Sequence, residues 1–79
     1  MNNSVYFAQI LEPVGGMYTY QFVGIFTTRK NAEDAVCDIL AQRYNKTIHY
    51  TDYSAEADFL ERHSDEYKVK KIEINKNYH

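Results

Sequence analysis

The stretch YQFVGIFTTRKNAEDAVCDIL, residues 20–40, decides the fold class. It begins as an aromatic and β-branched run, which is typical of a strand, and it passes through Thr27 and Thr28 into a second pattern. In that second pattern apolar residues recur every three or four positions, which predicts an amphipathic helix: Ala32, Ala35, Val36, Ile39, Leu40. A strand that leads directly into such a helix indicates a small α+β domain. The stretch names a fold class and no reaction.

Size and composition set the limits of the fold. The chain has 79 residues, which predicts one domain spanning residues 1–79. A hydrophobic content of 44% and a charged content of 25% are ordinary for a soluble globular protein. Eight Tyr and four Phe with no Trp form an aromatic surplus. Tyr combines an apolar ring with a polar hydroxyl, so the surplus favours sheet positions and binding surfaces.

Charge and cysteine usage narrow the class of partner and the compartment. The net charge is −2, so bulk charge attracts neither nucleic acid nor a membrane surface. Residues 31–66 nevertheless carry a net charge of −6 and residues 67–79 a net charge of +3. The single cysteine, Cys37, excludes an internal disulfide framework and favours a reducing compartment. We therefore expect a cytoplasmic protein with no membrane association.

Two strands and a turn are predicted near the N-terminus. Residues 5–12 and 17–26 have strand composition, and residues 13–16 contain Pro followed by two Gly, which predicts a hairpin loop of four to five residues. The alternate residues of the second strand form an aromatic stripe: Tyr18, Tyr20, Phe22, Gly24, Phe26. We expect one face of this hairpin to pack against a helix and the other to be partly covered or to bind a partner.

Two helices and a last strand complete the pattern. We expect the first helix at residues 29–42 with Thr28 as N-cap, and a short second helix at residues 55–63 with Ser54 as N-cap. Residues 47–51 fit either a short strand or a loop. Residues 67–74 read as a strand whose alternation changes phase at Lys70 and Lys71, which predicts a bulge there. The predicted fold is α+β, a small antiparallel sheet in the order ββα(β)αβ with helices on one face.

The corner between strand and helix, VGIFTT at residues 23–28, carries a family resemblance. Together with the opening Val5-Tyr6 and the closing strand at residues 67–74, it resembles a family of short uncharacterised bacterial and phage proteins. The resemblance implies a β-hairpin–helix–β domain and brings no activity with it. Residues 44–66 depart from the family pattern because they are longer and richer in Tyr, so we expect a distinctive function to lie there.

Side chains that carry chemistry are present without the spacing that catalysis or metal binding needs. Cys37 lies in mid-helix with no base fixed beside it, so we expect a semi-buried spacer and no nucleophile. His49, His63 and His79 lack the helical spacing of metal ligands, and no pair of cysteines joins them. The acids at residues 56–66 are better explained as solvated groups than as an acid–base pair. We expect no enzyme, no metal and no cofactor.

The leading hypothesis is a non-enzymatic protein–protein interaction module. An acidic, Tyr-rich surface would dock on a larger protein that supplies Arg or Lys, as in small phage proteins that inhibit a host enzyme or defence complex. The predicted partner contacts lie between the two helices and on the second one: Tyr44, Tyr50, Asp52, Tyr53, Glu56, Asp58.

Two alternatives stay open. Single-stranded nucleic acid would stack on an aromatic and basic sheet surface, although the acidic middle of the chain disfavours it. The contacts predicted for it lie on the last strand: Tyr67, Lys68, Lys70, Lys71. Self-association is the other alternative, through an exposed apolar sheet face or through the edge of the strand at residues 5–12, which would give a homodimer.

Overall fold

The computed structural model describes residues 3–49 and 52–74, and it confirms the α+β fold class. The elements follow in chain order: β1 Asn3–Val14, β2 Met17–Phe26, α1 Arg29–Arg43, α2 Tyr53–Arg62, a single 3₁₀ turn Ser64–Glu66, and β3 Tyr67–Ile74. The three strands form one antiparallel sheet in the spatial order β2-β1-β3. β1 is central and its residues 3–10 are paired on both sides, so the expectation that residues 5–12 offer a free edge is wrong for all of them except Leu11 and Glu12.

The hairpin between β1 and β2 is tighter than predicted. Pro13 and Val14 are part of β1 and pair with Tyr18 and Met17, so the loop is only the two glycines at positions 15 and 16. Both glycines have positive φ, 59° and 84°, as a two-residue turn compatible with strand twist requires. Pro13 is tolerated because pairing of β1 with β3 ends at Ile10, so only β2 flanks the proline.

A β-bulge lies on β2 and not on β3. Ala8 pairs with Gly24 and Gln9 with Phe22, which leaves Val23 without a partner in the β1 register. The bulge interrupts the predicted aromatic stripe, because residues of the stripe before and after the bulge lie on opposite faces of the sheet. Phe22 is exposed, whereas Phe26 packs against the core. A Cβ atom at Gly24 would lie 3.0 Å from the Phe26 ring, so a side chain at this position would require that ring to shift.

The predicted bulge at residues 70–71 of β3 is absent. The register with β1 runs without interruption from the pair Ile10–Tyr67 to the pair Asn3–Ile74. The change in hydrophobic phase has another cause: Val69 contacts the core on one face of β3, whereas Ile72 lies on the other face and is exposed. β3 is therefore a regular strand with apolar residues on both of its faces.

The boundaries of α1 follow from its capping residues. Thr28 accepts a hydrogen bond from the backbone N–H of Asn31 at 3.1 Å, which confirms the predicted N-cap. At the other end Asn45 has φ 56°, and the N–H of Lys46 donates to the Ala41 carbonyl at 2.7 Å. This arrangement is a Schellman motif with Asn in the left-handed position.

The second helix begins earlier than predicted. α2 starts at Tyr53, and its N-cap is Asp52, whose carboxylate accepts from the Ala55 N–H at 3.0 Å. Ser54 therefore lies inside the first turn, because a carboxylate at the cap satisfies the same N–H and also interacts favourably with the helix dipole. Residues 46–49 form no strand, and the remainder of the ambiguous 47–51 segment lies outside the described residues.

One hydrophobic core lies between the sheet and the helices. Its buried members come from β1, α1 and α2: Ala8, Ile10, Ala32, Val36, Cys37, Leu40, Ala41, Phe59, Leu60. The domain measures 47 × 35 × 15 Å along its principal axes, so it is a thin slab of one helix layer on one sheet layer. The other face of the sheet therefore has no covering layer within the described residues. None of the described helices has the length and apolar character needed to cross a membrane.

Candidate functional site

The uncovered side of the sheet is the candidate site. The helices pack on the side that carries Ala8 and Ile10, and residues directly opposite each other on antiparallel strands share a face. The strand register therefore assigns the following residues to the uncovered side, which we call the open face: Asn3, Val5, Phe7, Gln9, Leu11, Pro13, Tyr18, Tyr20, Phe22, Ile25, Lys68, Lys70, Ile72, Ile74.

Apolar side chains of the open face are accessible to solvent. Phe22 is 60% exposed, Ile25 58% and Ile72 43%. These residues come from the two outer strands, and Phe7 of the central strand lies between them in the register. Isolated exposed apolar residues are ordinary on protein surfaces, but a group of them on one face indicates a binding surface.

Aromatic rings and lysines are interleaved on the open face. The Phe7 and Phe22 ring centroids lie 5.1 Å apart with their planes inclined by 43°. The Nζ atom of Lys68 lies 4.3 Å from the Tyr20 ring centroid, within the range of a cation–π contact. Lys70 is the partner of Phe7 across the strand pair. Both lysines therefore stand beside aromatic rings.

None of the described strands places a carboxylate on the open face, which carries Lys68 and Lys70. The acids within the described strands are Glu12 and Glu73, and the register places both on the helix side. Glu12 lies 3.5 Å from Arg43 of α1, which is consistent with that assignment. The open face thus combines exposed apolar groups with Lys68 and Lys70, a combination that is complementary to an apolar surface bordered by anionic groups.

The described members of the predicted partner patch lie on the helix side of the molecule. Asp52 is committed to capping α2 through its hydrogen bond to Ala55, although it is exposed. Asp58 is exposed and forms an ion pair with Arg62 at 3.0 Å along α2. An exposed pair of this kind contributes little to stability. Tyr53 is 67% exposed, and Tyr50 lies outside the described residues.

Glu56 is not available as a surface contact, which corrects the sequence-based prediction. Its exposed fraction is 3%, and its Oε1 atom accepts a hydrogen bond from Lys30 Nζ at 2.7 Å. Lys30 also donates to Asp34 of its own helix, and its bond to Glu56 joins α1 to α2. Burial raises the pKa of the Glu56 carboxyl, and Asp34 raises it further against the opposing effect of Lys30. Glu56 serves the helix–helix contact.

Tyr44 belongs to a second polar cluster, centred on Glu66. Its hydroxyl donates to the Glu66 carboxylate, 2.6 Å from Oε1 and 2.7 Å from Oε2, and its ring stacks on His63. His63 Nδ1 lies 2.8 Å from Glu66 Oε2, and Arg43 NH1 lies 3.4 Å from Oε1. This cluster fastens the end of α1 to the 3₁₀ turn before β3. A structural role therefore accounts for Tyr44.

The contacts predicted for nucleic acid are divided between the two faces of β3. Lys68 and Lys70 lie on the open face, whereas Tyr67 pairs with Ile10 and Lys71 with Tyr6 on the helix side. Tyr67 packs against the core, and burial raises the pKa of its hydroxyl. The four residues therefore do not form one surface, because consecutive residues of a regular strand alternate between its faces.

The remaining candidate chemistry does not assemble into a site. Cys37 is buried, and burial raises the pKa of its thiol to about 11, which disfavours the nucleophilic thiolate. Within residues 3–49 and 52–74, no three metal-ligating side chains of the His, Cys, Asp or Glu type gather at one point.

Comparisons with known proteins bring no further assignment. No family model, no curated protein and no solved structure matches the chain. The family resemblance drawn from the corner at residues 23–28 stays a prediction.

The sequence predicted that one face of the hairpin would be partly covered or would bind a partner, but it did not single out most residues of the open face. Phe7, Ile25 and Ile72 look like ordinary core positions in a strand that is apolar on both sides. The available indication was that all three strands are apolar on both faces, whereas two helices of this length cover one face of a sheet. That excess of apolar strand surface pointed to an uncovered binding face.

Proposed function

We propose that the protein is a non-enzymatic interaction module that docks on a larger protein partner through the open face. One observation carries the proposal: the exposed Phe22, Ile25 and Ile72 gather on the side of the sheet that the helices leave uncovered. Removing such groups from water is the main source of free energy in protein association. This surface replaces the acidic, Tyr-rich patch as the proposed contact.

The chemistry of the open face defines the partner. Lys68 and Lys70 lie at one side of the apolar group, and no carboxylate of the described strands balances them. The complementary surface is apolar at its centre and has Asp or Glu at the rim facing β3. Charges of this kind guide the encounter and set the orientation, while the apolar contact provides most of the affinity.

An inhibitory role is the more specific part of the proposal. A small protein that covers an apolar surface of a host enzyme or defence complex needs a rigid sheet, a solvated opposite side and no chemistry of its own. The acidic helix side would then face solvent and keep the complex soluble. We place this role in the cytoplasm, because the lone Cys37 fits a reducing compartment.

Single-stranded nucleic acid is the second candidate occupant of the open face. The Phe7–Phe22 pair and the neighbouring lysines are the observation that favours it. Ile25 and Ile72 argue against it, because branched aliphatic side chains offer no flat surface on which a base stacks. Protein is therefore the favoured partner, and nucleic acid is one outcome of the test.

The test compares variants of the two sides of the molecule. The open-face variant, Phe22→Ser with Ile72→Ser, removes two exposed apolar side chains of the open face. The helix-side variant, Tyr53→Ser with Asp58→Ser, removes two exposed side chains of the helix side. Each tagged protein is used to capture partners from nuclease-treated lysate of its natural host, and the retained protein is purified and titrated by calorimetry. Circular dichroism melts verify that both double variants stay folded.

The outcomes separate the candidates. The proposal predicts that binding of the purified partner is lost in the open-face variant and unchanged in the helix-side variant. The reverse pattern would return the contact to the predicted patch on α2. Salt-sensitive binding to a single-stranded oligonucleotide, lost in the open-face variant, would replace the protein partner with nucleic acid.

A further inference from the structure

The two edges of the sheet differ sharply in charge. β3 forms one edge and carries Lys68, Lys70, Lys71 and Glu73 among its eight residues. Lysines on an edge strand are a common device against pairing with another chain. β2 forms the other edge, and its ten residues, MYTYQFVGIF, contain no charged side chain and no proline. Only the β3 edge is therefore protected by charge.

The outer edge of β2 is also free to pair. Within the described residues, no backbone hydrogen bond joins β2 to a segment other than its hairpin partner β1. The bulge at Val23 twists the strand, but residues 17–22 before it are in uninterrupted register with β1. Met17 and Tyr18 on this segment are largely exposed. A regular, uncharged and accessible length of edge strand remains.

We propose that β2 pairs with β2 of a second copy of this chain, giving a two-fold dimer with a continuous six-stranded sheet in the order β3-β1-β2-β2-β1-β3. A two-fold interface brings each residue next to the same residue, or a near neighbour of it, in the second copy. The strand at the interface must therefore carry no charges that would repel their own copies. The uncharged β2 meets that requirement. The β3 edge, with three lysines and one glutamate, would place like charges opposite each other.

The geometry of the pairing restricts its register to two choices. A two-fold axis perpendicular to the sheet makes the two β2 strands antiparallel and keeps both helix layers on one side. Paired residues must then belong to the same face, which centres the flat segment on Thr19 or on Tyr20. The two open faces lie side by side in this dimer, so it would present the proposed binding surface twice. The pairing itself stands independently of the proposed function.

Cross-linking tests the register directly. The only native thiol is buried, so Cys37→Ala gives a background without cysteine, in which Thr19→Cys and Tyr20→Cys are made separately. Lys70→Cys on the β3 edge is the matched control. Under mild oxidation we expect a covalent dimer from one of the two β2 variants and none above background from the β3 variant. Equal cross-linking of all three variants would overturn the proposal.

Sedimentation equilibrium of the unaltered chain gives the second readout. We expect a reversible monomer–dimer equilibrium, and we expect Thr19→Lys with Gln21→Lys to weaken it about tenfold through like charges across the two-fold axis. A monomer up to millimolar concentration would overturn the proposal. A dimer that survives this variant but is lost with Phe22→Ser and Ile72→Ser would also overturn it, since the open faces would then be the contact.

Discussion

Val69 and Ile72 lie three positions apart on β3 and point to opposite faces of the sheet. Val69 is the partner of Ala8 and packs against the core, whereas Ile72 is the partner of Val5 on the open face. Val69 is half-buried under the helices whereas Ile72 is 43% exposed, so burial by the helices distinguishes the two residues. That difference defines which side of the sheet is core and which is surface.

Truncating these two side chains should therefore have unequal effects. Val69→Ala removes two partly buried methyl groups and is expected to lower the free energy of unfolding by about 1 kcal/mol. Ile72→Ala removes more atoms from an exposed position and is expected to cost less than about 0.5 kcal/mol. Urea denaturation of both variants measures the difference. A larger loss from Ile72→Ala would show that the open face is covered in the folded chain.

The raised pKa of Glu56 predicts a pH-dependent stability. The folded chain holds this proton more tightly than the unfolded chain, so the contribution is present below the ordinary pKa of 4.5 and is lost as the pH rises through the folded value. Glu56→Gln cannot titrate. We expect the stability of the variant relative to wild type to increase as the pH is raised above 4.5, measured by urea unfolding at several pH values. If the difference in free energy of unfolding between Glu56→Gln and wild type did not change with pH, a raised pKa of Glu56 would be contradicted.

Glu66 should show the opposite dependence. Burial alone would raise its pKa, but the hydrogen bonds of Tyr44 and His63 with its carboxylate outweigh burial and lower it. The resulting stabilisation is present above the ordinary value of 4.5 and is lost as the pH falls through the folded value. Glu66→Gln is expected to cost about 1 kcal/mol at neutral pH and progressively less in acid.

The control for this experiment is Glu61→Gln, which changes an exposed acid of α2. At neutral pH it should leave the free energy of unfolding nearly unchanged, because substitutions of exposed residues usually have small effects. An identical loss in both variants would mean that the Glu66 cluster contributes nothing specific.

The two-residue turn makes a prediction about backbone conformation alone. A Cβ atom on Gly15 would meet no atom within 4 Å beyond its two chain neighbours, so the penalty for a side chain there comes from its φ of 59°. Gly15→Ala is expected to destabilise the fold by about 1 kcal/mol, whereas Gly15→Asn should be nearly neutral because Asn tolerates the left-handed region. Thermal unfolding of the two variants compares them directly. Equal melting temperatures would contradict the turn geometry.

Local patterns predicted much of the fold. The periodicity of residues 29–42 and the cap at Thr28 locate α1 within one residue of its observed end, and the span of β3 is as predicted. Helix periodicity and capping depend on residues that are close in sequence, so they can be predicted without knowledge of the tertiary structure. The predicted start of the second helix is two residues too late, because Asp52 and Ser54 are both good N-cap residues and only the structure distinguishes between them.

Features that depend on pairing between strands could not be read from the chain. The position of the bulge at Val23 and the central place of β1 depend on which strands are neighbours, and one shift in register exchanges the faces. Glu56 illustrates the same limit for the site. From the sequence, an acid on a short helix is expected to be exposed to solvent. Glu56 is buried because Lys30, which is 26 positions away in the chain, donates a hydrogen bond to its carboxylate.

The most direct test of the open face uses the isoleucines, which the chain places on both sides of the sheet. Ile25 and Ile72 lie on the open face, whereas Ile39 and Ile48 pack against the core on the helix side. Methyl-labelled isoleucine gives one NMR signal for each, and the purified partner is titrated into the labelled protein. We predict that the signals of Ile25 and Ile72 shift or broaden while those of Ile39 and Ile48 stay in place. Perturbation of Ile48 and Ile39 with no change at Ile25 and Ile72 would contradict docking through the open face.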